Sequence, residues 1–329
     1  MMGCPRTAYS MEFENFKMKV HAFMNRHTAL ILTYHSVIEH PTVFNLWTHI
    51  SLQRFEEHMQ FLKQSARVIS LSEMADAIRR RCLPTNSVAI TFDDGFANNY
   101  TRAYPVLQRL GLPAAIFLST GYIGGRKLFW PERLAYQLML TERDSITFMG
   151  QTLWLRDNND RLHVCSVLRE KLKKLHPNKL DESIEDIEDM LKVPIDPEEP
   201  LFQEWLPLNW GQVCDMASGG LIEFGGHTHS HWILSKLSDS DAERQIADCR
   251  QTLVDNLNQS VTLWAYPNGT KADFNAEHRS MLEAYGFKTI FTAEPQFITV
   301  KSDPAELGRW SIGNDDSVQD LRVILSRRN

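Results

Sequence analysis

Val88-Ala89-Ile90-Thr91-Phe92-Asp93-Asp94-Gly95 carries a short apolar run directly into two adjacent carboxylates and a glycine. The run is continuous and partly β-branched, which is the pattern of a strand buried on both faces, as in a parallel sheet. Successive strand side chains face opposite ways, so Asp93 and Asp94 diverge if the strand simply continues. A turn at Gly95 instead brings both carboxylates to one mouth at the strand's carboxyl end. Two like charges that close need a reason to stay ionised, and a divalent cation is the usual one. The plainer reading is a loop whose aspartate caps a helix starting near Asn98.

Working outward, Ala29 to Tyr34 reads as a second buried strand, with His35 just past its end. Helical spacing follows at Leu52–Gln64 and again from Ser72, which is expected to cap a helix to Arg80 with Glu73 in its first turn. A short strand at Val68–Leu71 lies between them. After the Asp-Asp strand come a helix over 98–110 closed by Gly111 and a fourth strand at Ala114–Leu118. Strands alternating with helices of this length indicate βα units and a parallel sheet.

The alternation stops after Thr120. Residues 121–208 are richer in charge, show helical runs at 131–140 and 160–192, and end in a proline-spotted stretch. At roughly ninety residues this block approaches the lower end of independent domain size, and it is read as a helical insertion carried by the main fold. Alternation resumes at Leu221 and runs through helix 239–257, strand 261–266, helix 275–285, strand 287–292 and helix 317–327. The expected fold is α/β: a distorted, incomplete (β/α) barrel over 29–329, with the helical insertion after its fourth strand. Residues 1–28 form an extension in which Phe13, Phe16, Val20, Phe23 and Met24 fall at helical spacing, a short amphipathic helix expected to pack on the barrel itself, with a membrane surface as the lesser option.

With 41 acidic and 35 basic residues the chain is mildly negative, which disfavours nucleic acid as a partner. Five scattered cysteines suit reduced thiols rather than a disulfide framework. The first residues lack the apolar core of a signal peptide, so a cytoplasmic location is expected, with contact at the inner face of a membrane through the extension as a further option. No stretch is long and apolar enough to span a bilayer.

A second constellation, Gly225-Gly226-His227-Thr228-His229-Ser230-His231, follows the strand at Leu221–Gly225. In a parallel barrel its loop opens on the same face as Asp93 and Asp94. His227 and His231 are four apart, so one turn lets both imidazoles reach one cation, while His229 points elsewhere. An exposed loop of histidines without a role is the competing reading. Asp94, His227 and His231 together supply one oxygen and two nitrogens and leave positions open for water and substrate, as catalytic zinc sites do. Cobalt, nickel and manganese accept the same set. Asp93 is then free to act as general base toward a water whose pKa the cation lowers. A metalloprotease helix requires glutamate after the first histidine, and Thr228 stands there.

These motifs resemble those of the polysaccharide deacetylases of the NodB-homology type, also called carbohydrate esterase family four. The likeness rests on Thr91-Phe92-Asp93-Asp94-Gly95, on His227-Thr228-His229-Ser230-His231 with Leu234, and on Ala265-Tyr266-Pro267-Asn268-Gly269. Ile31-Leu32-Thr33-Tyr34-His35 and Phe55-Glu56-Glu57-His58 are similar to the branch acting on poly-N-acetylglucosamine. The resemblance implies hydrolysis of an N-acetyl group from an amino sugar of a polysaccharide or glycan precursor. It implies Asp93 as base, Asp94, His227 and His231 as ligands of one divalent metal, and His35 as the acid protonating the leaving amine.

The third motif departs from the common pattern. Many relatives have arginine at the place of Ala265 and tyrosine at the place of Asn268. The oxyanion donor there is a backbone N–H, which Asn268 still supplies. Arg309, in Leu307-Gly308-Arg309-Trp310-Ser311-Ile312, is the candidate to replace the missing arginine beside Asp93. Tyr266 and Trp310 are candidates for a sugar-stacking wall, although aromatic side chains at such positions are more often simply core. Two alternatives stay open: a deformylase or amidase acting on a lipid-linked or small sugar amide, and a carbohydrate-binding protein without catalysis.

Overall fold

The structure, a computed structural model, describes residues 28–39, 44 and 46–327. The amphipathic segment expected between residues 13 and 24 lies outside these residues. Seven parallel strands build the main sheet: β1 (Leu30–Tyr34), β2 (Ser87–Phe92), β3 (Ala114–Leu118), β4 (Ile222–Gly226), β5 (Leu263–Ala265), β6 (Thr289–Phe291) and β7 (Trp310–Ser311). Their lateral order is β6-β5-β4-β3-β2-β1-β7, with Arg67–Val68 pairing at the start of β2. Chain neighbours are therefore spatial neighbours, and β7 returns beside β1.

One extended segment carries the sheet round to its beginning. Leu307 bridges Phe291 of β6 on one side, and three residues later Trp310 pairs with Leu32 of β1 on the other. The barrel is distorted because this last position holds only a two-residue strand and a single bridge. That agrees with the fold expected from the sequence.

Every residue of β1, β2 and β3 is buried, which accounts for their uninterrupted apolar runs. Alternate positions serve different layers. Leu30, Leu32, Tyr34, Val88, Ile90 and Phe92 face the surrounding helices. Ala29, Ile31, Ala89, Ala115, Phe117 and Phe291 share a second cluster at the barrel's inside. The helices against the outer layer include α1 (Leu52–Ser65) and α3 (Tyr104–Leu110), the latter closed by Gly111 in the left-handed conformation at φ 63°, whereas α2 (Leu71–Arg79) sends Leu71, Met74, Ala77 and Ile78 into the inner cluster.

Local boundaries differ from expectation where side chains compete for caps. Ser70, not Ser72, caps α2 by accepting from Glu73 N, so the preceding strand ends at Val68. The two aspartates cap nothing: the wide helical turn Asn99–Ala103 opens from Asn98 without a side-chain cap.

The insertion begins with α4 (Trp130–Leu140) and continues through a hairpin, Ser145–Phe148 with Gln151–Trp154, that periodicity missed. Its tight turn uses Met149 and Gly150, both at positive φ, as two-residue hairpins require. The helical run expected at 160–192 is two helices, α5 (Asn158–Leu172) and α6 (Pro177–Leu191). Pro177 divides them, because proline suits a helix's first turn and not its interior. These helices share a separate apolar core around Leu138, Leu168, Ile187 and Trp205, which Phe44 and Leu46 join from the segment after β1. Leu208 N donates to Gly95 O at 2.8 Å, which ties the insertion's exit to the Asp-Asp-Gly turn.

The chain then runs through α7 (Trp210–Ser218), α8 (Asp239–Leu257), α9 (Ala276–Ala284) and α10 (Val318–Ser326). The four cysteines among the described residues are unpaired. No helix among those residues is long and apolar enough to cross a membrane.

Candidate active site

Strand register decides which side chains meet. Tyr34 pairs with Phe92 and Leu118 with Gly226, so His35, Asp93 and His227 each stand one residue past a strand end on the same face of the barrel. Asp93 N donates to Tyr34 O at 3.0 Å and His227 N to Leu118 O at 3.0 Å, which carries the ladder one step beyond the strands. The inward series Ala89, Thr91 continues to Asp93, and the series Ile31, Thr33 continues to His35. Both lie on one cavity, which also takes in Thr33, Asp94, His227, His231, Asn268 and Arg309.

Asp94 leaves the strand path through a left-handed backbone at φ 72°. Gly95 follows at φ 89°, and a Cβ there would lie 2.6 Å from Leu118 Cδ2, so only glycine fits. Thr228, His231 and Asn268 also have positive φ, at 62°, 57° and 60°. Such conformations cost energy in non-glycine residues, and for β-branched Thr228 the strain is pronounced. Asp94, His231 and Asn268 line the one cavity, and Thr228 follows directly on His227, which also lines it.

Arg309 forms a two-point ion pair with Asp93: Nη1 donates to Oδ1 at 2.7 Å and Nη2 to Oδ2 at 2.8 Å. Its Nε donates to Thr292 O at 3.2 Å, and its guanidinium lies 5.3 Å from the Phe117 ring centroid. The side chain is buried, and each part of it has a partner, as a charge taken out of water requires. Burial works against the Asp93 charge, but Arg309, with His227 and His35 adding to it, holds the carboxyl below its usual range. Arg309 thus occupies, from the closing segment of the barrel, the place beside Asp93.

Asp94 Oδ1 faces two imidazole nitrogens, His227 Nε2 at 3.4 Å and His231 Nε2 at 3.1 Å. One donor atom from each residue falls within 4.8 Å of the others. His227 Nδ1 lies 2.8 Å from Ala265 O, where only an N–H donor is satisfied, so its Nε2 presents a lone pair toward Asp94. Asp94 Oδ1 is buried with no hydrogen bond of good geometry. Of the three converging atoms the Asp94 oxygen and His227 Nε2 bring lone pairs and only the His231 nitrogen is able to bring a proton, a set that fits a cation better than its members fit one another. Burial raises the Asp94 pKa, yet the neighbouring His231 holds it well below the usual carboxylate value. His229, as expected, turns away and meets Thr120 Oγ1 at 3.0 Å.

His35 sits with its ring edge-on to Trp47 at 5.1 Å, and its Nδ1 is buried without a partner. Burial lowers its pKa, against the opposing pull of Asp94 and Asp93. Asn268 lines the cavity with its side-chain amide committed to Asp273 Oδ2 at 2.6 Å, so it has only its backbone to offer a substrate.

Tyr266 and Trp310 follow the plainer of their two readings, as packing residues: Tyr266 is buried and stacks on Phe274 at 4.1 Å, Trp310 donates to Gln296 O at 3.1 Å, and neither lines the cavity. The aromatic wall comes instead from Trp47, Phe129 and Trp130. Sequence reasoning also missed Glu132, Arg169 and Lys173, which the insertion contributes to the same cavity. No motif announces them, because their position depends on how α4 and α5 pack over the barrel mouth. The cavity measures about 110 Å³ and is walled by both the barrel and the insertion.

The family model for polysaccharide deacetylase matches residues 80–290. Among curated proteins, YxkH of Bacillus subtilis (strain 168) is 31% identical over 106 residues, 32% of this chain and 36% of that one. The poly-beta-1,6-N-acetyl-D-glucosamine N-deacetylase of Staphylococcus aureus (strain MSSA476) is 34% identical over 76 residues, 23% of this chain and 26% of that one. The matched segments thus span about a third or less of those relatives. Among solved structures, the Streptococcus pyogenes deacetylase PplD in complex with acetate aligns at TM-score 0.60 and 18% identity, covering 91% of this chain and 98% of that one. IcaB from Ammonifex degensii aligns at TM-score 0.60 and 19% identity, covering 91% and 97%. At these identities the structural likeness speaks for the fold.

Proposed function

The chain belongs to the polysaccharide deacetylase family, and from that premise we propose that it is a metal-dependent hydrolase removing N-acetyl groups from amino sugars of a polysaccharide or glycan precursor. The observation that carries this reading is the convergence of Asp94, His227 and His231 beside the Asp93–Arg309 pair in one cavity. A non-catalytic sugar binder has no need of such a set. The staphylococcal relative's name supports an N-acetylated glycan as substrate.

In this reading Asp94, His227 and His231 hold one divalent cation, zinc in the first instance, since one oxygen and two imidazole nitrogens suit it. When bound, the cation polarises the acetamide carbonyl and makes water more acidic. Asp93, fixed by both arms of Arg309, accepts the proton of the attacking water. The hydroxyl adds to the carbonyl carbon, and the Asn268 N–H donates to the resulting tetrahedral oxyanion. The carbon–nitrogen bond then breaks as His35 gives a proton to the departing nitrogen. Acetate and a free amino sugar leave.

The test is acetate release from N-acetylglucosamine oligomers. Chelated protein is expected to be inactive and to recover on adding zinc or cobalt. If no divalent metal restores acetate release from any acetylated amino sugar, the proposal fails.

A further inference from the structure

Helix α5 brings two cations to the cavity that holds the reacting groups. Arg169 and Lys173 both line it, four residues apart and hence on one face of the helix end. The carboxylates of the same cavity already have company. Asp93 is held by Arg309, Asp94 by the two imidazoles, and Glu132 lies 3.4 Å from His49.

Arg169 and Lys173 have none. Neither forms an ion pair or a side-chain hydrogen bond among the described residues, and Arg169 Nε is buried without an acceptor. Other half-buried cations of the insertion differ sharply. Arg133 pairs with Glu188 at 2.6 Å, Arg161 donates to Leu155 O and Met139 O, and Lys171 reaches Gln151 at 3.0 Å. A cation in the last turn favours a helix end, and Lys171 already supplies one from outside. That does not explain two more turned toward an enclosed space. Burial and the repulsion of Arg169 lower the Lys173 pKa, and the pull of Glu170 and Asp273, neither of them in hydrogen-bonding contact with it, does not make up the difference. A guanidinium N–H taken out of water without an acceptor is costly, so the missing acceptor is to be sought in the ligand.

We propose that Arg169 and Lys173 form an anion subsite beside the reacting amide, so that the substrate is an N-acetylated amino sugar carrying a phosphate or carboxylate close to the acetamide. The proposal deepens the deacetylase reading and names its substrate class. Trp47 and Trp130, on the same wall, offer the apolar faces against which the sugar ring lies. A phosphate would come from a glycosyl phosphate precursor, and a carboxylate from a neighbouring uronic acid in a polymer.

Three probes separate these sources: N-acetylglucosamine 1-phosphate, a hyaluronan tetrasaccharide, and a neutral N-acetylglucosamine tetramer. Binding to the full chain is measured by calorimetry with and without zinc, alongside acetate release. One anionic probe is expected to bind at least about tenfold more tightly than the neutral one, with the margin shrinking as salt is raised. Which anion wins names the source. Arg169→Gln and Lys173→Gln are each expected to erase most of the margin, and Arg169→Lys to keep part of it. Thermal melts identify variants that fold, and Lys173→Gln, at a half-buried helix end, carries the test if Arg169→Gln does not. Equal affinity for all three probes, or a margin untouched by the substitutions, overturns the anion subsite. A preserved margin without acetate release leaves the subsite standing and sinks the hydrolytic reading instead.

Discussion

At the scale of single residues, the Asp93–Arg309 pair has the most to lose. Replacing Arg309 by alanine leaves a buried carboxylate without its counter-charge, a loss of about 3–5 kcal/mol for pairs of this kind. The sign of the pH effect follows from the lowered Asp93 pKa. A depressed carboxylate contributes stability that is present above its ordinary value of 3.8 and is lost as pH falls through the lower folded value. Arg309→Ala should therefore raise that pKa and move the acid limb of the pH–rate profile upward. Urea unfolding and initial rates between pH 4 and 9 measure both effects, and unchanged turnover across that range would remove Arg309 from the site. His35 behaves oppositely. Burial favours its neutral form, so it carries a proton only below its ordinary 6.5. If it is the general acid, the basic limb lies on the acid side of that value and disappears in His35→Gln, with kcat reduced on the order of 10²–10⁴-fold. A His35→Gln profile that keeps the basic limb assigns the proton to another group.

At the scale of elements, the site depends on how strands end. Parallel strands deliver their last residues to one face, and a single positive-φ residue then decides whether the next side chain stays or turns away. Gly95 enables this after β2. Gly95→Ala meets both strain, since its φ is 89°, and a clash with Leu118 Cδ2. The expected cost is about 1–3 kcal/mol, together with weaker metal binding because Asp94 shifts. Chemical denaturation and zinc titration would show this. A variant as stable as its parent, with full metal affinity, would mean the turn is softer than its geometry implies. Gly226 is constrained for a different reason: a Cβ there would lie 2.6 Å from the Trp264 ring of the paired strand β5 and 3.1 Å from Cys249 Sγ of α8, so the packing beside His227 leaves room only for glycine.

At the scale of the whole molecule, the donor set joins parts of the chain that are far apart in sequence: β2, β4 and, through Arg309, the segment that closes the barrel. A cation that binds only when they are assembled stabilises the assembled state. At a free concentration a hundredfold above its Kd the gain is about 2.7 kcal/mol. Zinc should thus raise the melting temperature of the native protein, and Asp94→Asn and His227→Ala should abolish the rise. An equal rise in those variants would place the metal elsewhere. The insertion acts at this scale too. Its helices carry their own apolar core and roof the barrel mouth, which narrows the cavity and adds Trp130, Glu132, Arg169 and Lys173 to its walls.

The order of strands and helices, the parallel sheet, and the residues Asp93, Asp94, His227 and His231 were legible in the sequence alone. Hydrophobic period and strand-end position are local properties, and a chain displays them without being folded. The hairpin at 145–154 and the break at Pro177 escaped because short two-sided strands and helix junctions leave weak periodic traces. Tertiary structure alone decided that Arg309 reaches Asp93 from 216 positions away, that Tyr266 and Trp310 belong to the packing rather than the cavity, and that α5 turns two cations toward the reacting groups. Each of these depends on where a closing segment or an added layer comes to rest. Barrel closure and the packing of one apolar core over another settle that, and no window of sequence contains them.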